Sequence, residues 1–352
     1  MFNTYKFRDK LKRFEAINPK TIEEPATKLF KEQNEEIIEI SFLGRGEASA
    51  VFKIITDVNI YALKTALYPE RTLKILNEAK IRQSFIDKGV KCVPTPRYVD
   101  REFFKNGAVV FDFAEGTQSD YKDENTIRRI AHNLADIHNV DYEIISDGLS
   151  QLRKNHQALK KTMNHIETDY PHLLNDKISK AFSLALVEYS DLIENNKDLF
   201  PFGISGIMHG DLGGHFITDS QGKVWLVDWE NSEYGDLIEE ISLFILYSEI
   251  SDDMRRIFFE EYKNHFPPAS KLNFEEIDYF YVYPTPAFDV CWGIDQLDTN
   301  LVYKLEPERK LYDIKKSAQN WKQYFSESAS NLIQEGINEL ILKLTEEHNL
   351  SF

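Results

Sequence analysis

At residues 209–217 the chain reads HGDLGGHFI, and at residues 227–230 it reads VDWE. Between these segments, short apolar runs on either side of a DSQG turn at 219–222 predict one β-hairpin. A hairpin returns the chain to the edge where it began, so Asp211 and Asp228 are expected at one rim. A single aspartate in a glycine-rich loop more often caps a turn. Two such loops flanking one hairpin favour a shared site instead.

The composition limits the classes of protein to which this chain can belong. The chain has 352 residues, 42% of them hydrophobic, which suits one large or two modest domains. Its net charge of −16 argues against a nucleic-acid partner, because phosphate-binding surfaces need clustered Lys and Arg. Cys92 and Cys291 are isolated, so neither a zinc knuckle nor a disulfide framework is indicated. The N-terminus lacks the apolar core of a signal peptide, and no apolar run reaches the ~18 residues of a membrane span. We expect a cytoplasmic protein without a membrane partner.

The secondary-structure signals change along the chain and predict an α+β protein. Residues 1–37 resemble a charged helical extension, residues 38–114 are β-rich, and residues 115–352 are mostly helical. Alternating apolar residues predict an antiparallel meander, with strands at 36–43, 51–56, 60–66, 97–104 and 108–113. One helix is predicted at 69–88 within this region. Later helices are predicted at 125–140, at 179–194 and from 237 onward.

A glycine-containing turn joins the first two predicted strands. Glycines here allow the backbone to approach phosphates closely, since no Cβ intervenes. Val51 follows Gly44 by the seven-residue spacing of the glycine-rich loop that covers ATP in kinases. An ordinary hairpin turn remains an alternative. A dinucleotide-binding fingerprint is excluded because the turn does not open a helix. The candidate nucleotide-binding residues of this loop are Gly44, Arg45, Gly46, Ser49 (in the position of a third glycine) and Val51.

Lys64 lies on the third predicted strand and shares one face with Ala62 and Ala66, because strand side chains alternate. A lysine on an inward face is costly unless it meets an anion, although a surface lysine is the simpler alternative. We predict that Lys64 contacts nucleotide phosphates and that a helical carboxylate holds it. Glu78, in mid-helix, is preferred over Glu70.

Phosphoryl transfer requires a carboxylate beside the acceptor hydroxyl and ligands that hold Mg²⁺ on the phosphates. Asp211 is therefore the predicted catalytic base, and Asp228 is the predicted metal ligand. A third motif, DFAEG at 112–116, closes the last predicted strand of the β-rich region. It is expected either to present main-chain groups to adenine or to serve only as an interdomain linker.

Together these segments resemble the aminoglycoside phosphotransferase and choline kinase group, from about residue 36 to about residue 250. The resemblance implies a bilobal protein-kinase-like fold, with a small antiparallel sheet and one main helix before a large helical lobe. It implies that His209 braces the catalytic loop, that Asp228 binds Mg²⁺, and that Asp112 and Ala114 offer backbone groups to adenine. The segments LADIH at 134–138 and GD at 235–236 also match group motifs.

One position departs from the group pattern. The group usually carries Asn five residues after the catalytic Asp, as a second metal ligand. Here the fifth residue is Phe216, and His215 stands at the fourth. Histidine ligates metals through a ring nitrogen, whereas Mg²⁺ prefers oxygen. We predict that His215 lines the metal site, with loop capping as the alternative.

The predicted function is transfer of the γ-phosphoryl group of ATP or GTP to a hydroxyl of a small, cationic molecule, such as an aminoglycoside, another amino sugar or an amino alcohol. A neutral sugar or an amino acid alcohol such as homoserine is the alternative acceptor. An aminoglycoside acceptor would imply antibiotic resistance. The acceptor is expected near the segment 279–300, which is rich in aromatic residues and in carboxylates that suit an amine. Its candidate carboxylates are Asp289, Asp295 and Asp298. A monomer or homodimer is expected.

Two alternatives remain at this point. One is a catalytically weak nucleotide-binding relative with a regulatory or scaffolding role. The other is a metal hydrolase that uses His209, Asp211 and His215, which leaves Gly44, Lys64 and Glu78 unexplained.

Overall fold

A computed structural model describes residues 19–45, 49–303 and 307–348. The chain forms two compact units, one of Met1–Glu143 with Ser205–Lys271 and one of Ile144–Ile204 with Leu272–Phe352. Gly46 and the first half of the predicted N-terminal extension lie outside the described residues. None of the described helices is both long and apolar enough to cross a membrane.

The first unit contains a five-stranded antiparallel sheet in the order β1-β2-β3-β5-β4. Turn residues separate the strands of this sheet. The strands themselves are rich in β-branched and aromatic residues. The predicted meander is therefore present, and β3 has the predicted bounds. The strands are β1 (Ile37–Arg45), β2 (Ser49–Thr56), β3 (Ile60–Ala66), β4 (Pro96–Asp100) and β5 (Ala108–Asp112).

Two helices cover the two faces of this sheet. Helix α1 (Pro19–Glu32) packs Leu29 and Phe30 against the face that carries Leu63 and Val110. Helix α2 (Thr72–Asp87) packs against the face that carries Ala66, Val109 and Phe111. Because side chains alternate along a strand, Lys64 follows Ala66 onto the face covered by α2.

Strand β4 ends earlier than the predicted 97–104. The carboxylate of Asp100 accepts hydrogen bonds from the amides of Glu102, Phe103 and Phe104, at distances of 3.2, 3.1 and 2.8 Å. A carboxylate that satisfies following amides stabilises a turn instead of a continuing strand.

The rest of the first unit supplies the loops of the candidate site. The predicted hairpin is present as β9 and β10, and the short strand β6 pairs with β9. Strand β8 pairs with β11, a pair that the sequence patterns did not predict. These elements are β6 (Thr117–Gln118), α3 (Glu124–His138), β7 (Tyr142–Ile145), β8 (Gly203–Met208), β9 (Phe216–Thr218), β10 (Val224–Leu226), β11 (Glu233–Asp236), α6 (Leu237–Tyr247) and α7 (Asp252–His265).

The second unit is helical, as predicted for this part of the chain. Its core is aromatic, with Tyr189, Trp321 and Phe182 fully buried. The rings of Phe182 and Trp321 stack at 6.3 Å. The helices are α4 (Ser150–Asp169), α5 (Asp176–Asn195), α8 (Phe274–Val282), α9 (Thr285–Tyr303), α10 (Pro307–Asn320) and α11 (Glu327–His348).

Candidate active site

The centre of the site is Lys64, which is only 3% exposed. Its Nζ lies 2.8 Å from Oε2 of Glu78 and 2.8 Å from Oε2 of Glu230, and it also forms an ion pair with Asp228. The predicted partner Glu78 is fully buried on α2, whereas the alternative, Glu70, is exposed. A buried ammonium thus meets three carboxylates, one from helix α2 and two from the segment that follows the β9–β10 hairpin.

In this cluster the neighbouring charges shift the pKa values of Lys64 and Asp228 more strongly than burial does. Burial favours the neutral amine, but Glu78, Asp228 and Glu230 together raise the pKa of Lys64 above its ordinary value. Burial likewise favours a protonated Asp228, yet the adjacent Lys64 brings the pKa of that carboxyl below its ordinary value. Lys64 and Asp228 are therefore both charged at neutral pH.

Glu78 is held on both of its oxygens. Oε1 accepts a hydrogen bond from the amide of Trp229 at 3.1 Å. It also forms an ion pair with Arg82, which lies one helical turn away. The guanidinium of Arg82 lies 4.0 Å from the centre of the Phe111 ring. The sequence reasoning missed Arg82. Its signal was the four-residue spacing from Glu78, which places both on one face of the helix.

Asp228 has a left-handed backbone conformation, with φ of 66°. Few residues other than glycine adopt this conformation, and Asp and Asn are among those that do. The buried indole of Trp229 anchors the next position by donating to the carbonyl of Leu226 at 3.2 Å. This turn places the Asp228 carboxylate beside Lys64.

The backbone around Asp211 is braced by two buried groups. His209 lies 2.8 Å from the carbonyl of Val227 through Nε2 and accepts from the Asp211 amide through Nδ1 at 3.2 Å. Both ring nitrogens are thus taken, which argues against the hydrolase alternative. Gly210, with φ of 78°, donates its amide to Oε1 of Glu240 at 2.9 Å. A side chain at Gly210 would collide with the carbonyl of Asn231.

Glu240 belongs to a buried polar chain that sequence reasoning did not predict. Its Oε2 lies 3.0 Å from Nε2 of His138, and Nδ1 of His138 lies 2.6 Å from the hydroxyl of Tyr262. His138, the last residue of the LADIH segment, is fully buried. These hydrogen bonds link the end of α3 and the last turn of α7 to the backbone of the loop that carries Asp211.

His215 lies between the two candidate carboxylates. Its Nε2 is 3.6 Å from Oδ2 of Asp211, and its Nδ1 is 3.9 Å from Oδ2 of Asp228. Burial lowers the pKa of His215, but Asp211 and Asp228 more than offset this and raise it above the ordinary value. In turn, His215 brings the pKa of Asp211 below the ordinary value. The hairpin therefore does bring Asp211 and Asp228 to one rim, with an imidazole joining them.

A cleft of about 640 Å³, counting its part open to solvent, lies beside this cluster. Its walls are mostly apolar, which suits a planar base, and Lys64, His215 and Asp228 form its polar end. The Asp112 carboxylate is engaged by Arg97, at 2.6 Å and 2.7 Å. Leu43, Val51, Ala62, Phe111, Asp112, Phe113, Ala114 and Ile217 line the apolar part.

The predicted glycine loop is part of the β1–β2 hairpin, in which Gly44 pairs with Val51. Arg45 is exposed at the end of β1. Ser49 is buried, and its hydroxyl donates to Oε2 of Glu230 at 2.8 Å. Glu230, which the sequence patterns left without a role, thus connects this hairpin to Lys64.

The oxygen atoms of Asp228 suit a magnesium ion, whereas the ring nitrogens of His215, the second predicted ligand, suit it less well. Carboxylate oxygens of Glu78, Asp228 and Glu230 lie within 4.8 Å of one another, but each of these carboxylates already contacts Nζ of Lys64. Asp228 is the most exposed of the three and can offer Mg²⁺ the oxygen donor that it prefers. The second predicted ligand, His215, offers nitrogen instead.

The acceptor candidates Asp289, Asp295 and Asp298 lie in the second unit, and each already has an interaction partner. Asp295 accepts from the hydroxyl of Tyr170, and Asp298 lies 3.0 Å from Nε2 of His172. In the same unit, the rings of Tyr279 and Tyr324 stack at 5.7 Å, and Tyr283 meets both rings edge-on.

Comparison with known proteins places this geometry in a family. Residues 39–272 match the phosphotransferase enzyme family. The protein LicA homolog of Mycoplasma capricolum subsp. capricolum is 22% identical over 160 residues, which are 45% of this chain. The match spans only 58% of that relative's length.

Two solved structures share the fold. Choline kinase LicA from Streptococcus pneumoniae is 17% identical, with a TM-score of 0.52, over 90% of this chain and 98% of that one. The GDP complex of an aminoglycoside 2'-phosphotransferase-IIIa mutant is 14% identical, with a TM-score of 0.60, over 86% and 99%. The predicted α+β, protein-kinase-like fold class is confirmed. Because the family match covers more than half of its residues, the chain belongs to the phosphotransferase enzyme family.

Proposed function

We propose that this protein transfers the γ-phosphoryl group of ATP or GTP to a hydroxyl of a small cationic molecule. The observation that carries the proposal is the buried Lys64, held by Glu78 and Asp228, with His215 joining Asp228 to Asp211. Phosphoryl transfer depends on positioning and charge stabilisation, and this cluster supplies a fixed cation and two carboxylates at one rim.

Each residue has a defined part in this proposal. Lys64 contacts the nucleotide phosphates while Glu78 fixes its direction. Asp211 orients the acceptor hydroxyl and accepts its proton, since its low pKa keeps it ionised. Asp228, with His215 beside it, would hold Mg²⁺, which neutralises charge on the phosphates when bound. Asp112 and Ala114 offer main-chain groups to the base, and Gly44, Arg45, Ser49 and Val51 cover the phosphates.

The acceptor class rests on two supports. Both structural relatives carry names for kinases of hydroxylated amines, one of choline and one of aminoglycosides. In addition, the segment predicted to contact the acceptor contains Tyr279 and Tyr283, whose rings cluster with that of Tyr324. Aromatic faces attract organic cations.

The direct test is an acceptor screen that follows release of ADP or GDP. Choline, ethanolamine and aminoglycosides represent cationic acceptors, while a neutral sugar and homoserine represent other hydroxyl acceptors. The Asp211→Ala variant is the background control. A rate only with neutral acceptors would contradict the cationic class. A melting temperature raised by nucleotide and Mg²⁺, with no transfer to any acceptor, would favour the catalytically weak relative.

Lys64→Ala should chiefly weaken nucleotide use, raising KM for the nucleotide on the order of tenfold. It should also destabilise the fold by about 3 kcal/mol, because Glu78 would stay buried without its lysine. Steady-state kinetics and urea unfolding measure the two effects. Lys80→Ala, two residues beyond Glu78 and exposed, should change neither quantity. An unchanged nucleotide KM in Lys64→Ala would count against the phosphate-contact role.

His215→Asn should shift the acid limb of the kcat/KM profile to higher pH. His215 holds the pKa of Asp211 low, so its loss lets that pKa rise toward the ordinary value. Asp211 must be ionised to accept a proton, so activity would be lost earlier as pH falls. The asparagine oxygen should also lower the Mg²⁺ concentration needed for half-maximal rate. The profile and a Mg²⁺ titration, with folding followed by circular dichroism, test both points. In His172→Asn, neither the acid limb of the profile nor the Mg²⁺ concentration for half-maximal rate should change.

A further inference from the structure

A second group of possible metal ligands lies on helices α3 and α7, away from the phosphate-binding cluster. His132 is on α3, and Glu261 and His265 are on α7. One ligand atom from each of the three side chains lies within 4.8 Å of the others. The two imidazole rings are 3.9 Å apart between centroids. Small rotations about the side-chain torsions would bring these atoms to metal-binding distances.

The helical spacing explains why the ligands converge. Glu261 and His265 are four residues apart on α7, so both project from one face of that helix. On α3, His132 has the same four-residue relation to Asp136, and its Nε2 lies 3.6 Å from Oδ2 of Asp136. Two imidazole–carboxylate pairs therefore face each other across neighbouring helices.

Hydrogen bonds already orient two of the ligands. Nδ1 of His265 lies 2.9 Å from the carbonyl of Glu261, so in the neutral imidazole the proton sits on Nδ1 and Nε2 keeps its lone pair. Metal-ligating histidines usually donate the other ring N–H in this way. Oε2 of Glu261 accepts from Arg128 at 3.3 Å, and Oε1 lies 3.3 Å from Nδ1 of His265, so both oxygens of the carboxylate are oriented.

The two helices are also locked together beside the group. The hydroxyl of Tyr262, the residue after Glu261, lies 2.6 Å from Nδ1 of the buried His138 at the end of α3. The ligands remain reachable from solvent, because the side chains of His132 and His265 are 46% and 35% exposed. A depression of about 470 Å³, counting its open part, lies beside the group and is lined by Arg128, Arg129, His132, Asn133, Asp136 and Glu261. The site is thus both held in place and accessible.

We infer that His132, Glu261 and His265 form a binding site for a divalent transition metal of the zinc class. Two imidazoles and one carboxylate suit Zn²⁺, Ni²⁺ or Cu²⁺, with the remaining positions filled by water, and do not suit Mg²⁺. Bound metal would cross-link α3 to α7. Because α3 ends at His138, the cross-link would stabilise the helix pair that braces the Gly210 backbone through Glu240.

The test uses the full chain, stripped with a chelator and titrated with ZnCl₂ by calorimetry in excess Mg²⁺. One Zn²⁺ per chain is expected, with a melting temperature that rises with Zn²⁺ concentration. His132→Ala and His265→Ala should each weaken binding on the order of 100-fold, and Glu261→Gln should weaken it on the order of tenfold. All three side chains are solvent-accessible, and circular dichroism checks that each variant folds. Co²⁺ absorption reports the ligand geometry independently of activity.

His165→Ala is the matched control. His165 is 40% exposed and lies 3.0 Å from Asp169, four residues along α4, and 3.9 Å from Asp295 of α9. It therefore repeats the pairing of an imidazole with a carboxylate at a place outside the proposed site. Its loss should leave Zn²⁺ binding unchanged. The inference is overturned if the wild-type chain takes up no Zn²⁺ saturably, if binding survives loss of both His132 and His265, or if His165→Ala abolishes it.

Discussion

Asp211→Ala should lower kcat on the order of 10³-fold while leaving the fold and the nucleotide KM nearly unchanged. The carboxylate is about half exposed and contributes little to the core. The bond that holds the loop uses the main-chain amide of Asp211, which donates to His209, so alanine preserves it. What alanine removes is the group proposed to accept the proton of the acceptor hydroxyl. Steady-state kinetics with the best acceptor of the screen, together with urea unfolding, would measure both parts.

A matched pair of amide variants sharpens this test. Asp211→Asn keeps the shape of the side chain and removes its charge and basicity. Asp219→Asn makes the same change at the turn of the β9–β10 hairpin, where the side-chain oxygen accepts from the amides of Gln221 and Lys223. Only Asp211→Asn should lose turnover. If both variants retain the wild-type rate, Asp211 is not the base.

Much of the first unit could be predicted because its signals are local. The two-residue alternation of β3 assigns Lys64 to one face and Leu63 to the other, whatever packs against them. In α2, Glu78 was preferred over Glu70 for its position in the middle of the helix, and it lies with Leu76 and Ala79 on the buried side. Once a helix covers that face, a buried lysine and a buried glutamate are driven to pair, because each is costly alone.

The buried hydrogen bonds that hold the loops of the site in place could not be predicted, because they join residues that are distant in the sequence. Glu240 is 30 residues from Gly210 and 102 residues from His138, and no periodic pattern records such a link. Strands β8 and β11 were missed for a different reason. They contain Gly206 and Gly235, which have low strand propensity, and tertiary pairing overrides that preference.

Asp228→Asn should reduce kcat on the order of 10³-fold with a change in unfolding free energy within about 1 kcal/mol. Asparagine tolerates the left-handed backbone at φ of 66° as well as aspartate does, so the turn before Trp229 should persist. Lys64 would keep Glu78 and Glu230 as partners. Asparagine lacks the negative charge that is proposed to hold Mg²⁺ on the phosphates. Turnover measured across a Mg²⁺ titration should show a higher metal requirement as well as a lower maximum.

Glu230→Gln separates metal binding from neutralisation of Lys64. Its carboxylate lies 2.8 Å from Nζ of Lys64, so this variant removes one negative charge from the same lysine as Asp228→Asn does. If Asp228 acts as the metal ligand, Glu230→Gln should lose at least about tenfold less turnover and keep a near-normal Mg²⁺ requirement. Equal losses in the two variants, with the same Mg²⁺ dependence, would mean that both carboxylates act only through Lys64. The assignment of Asp228 as the metal ligand would then be wrong, while the ion pair between Lys64 and Glu78 would still account for nucleotide binding.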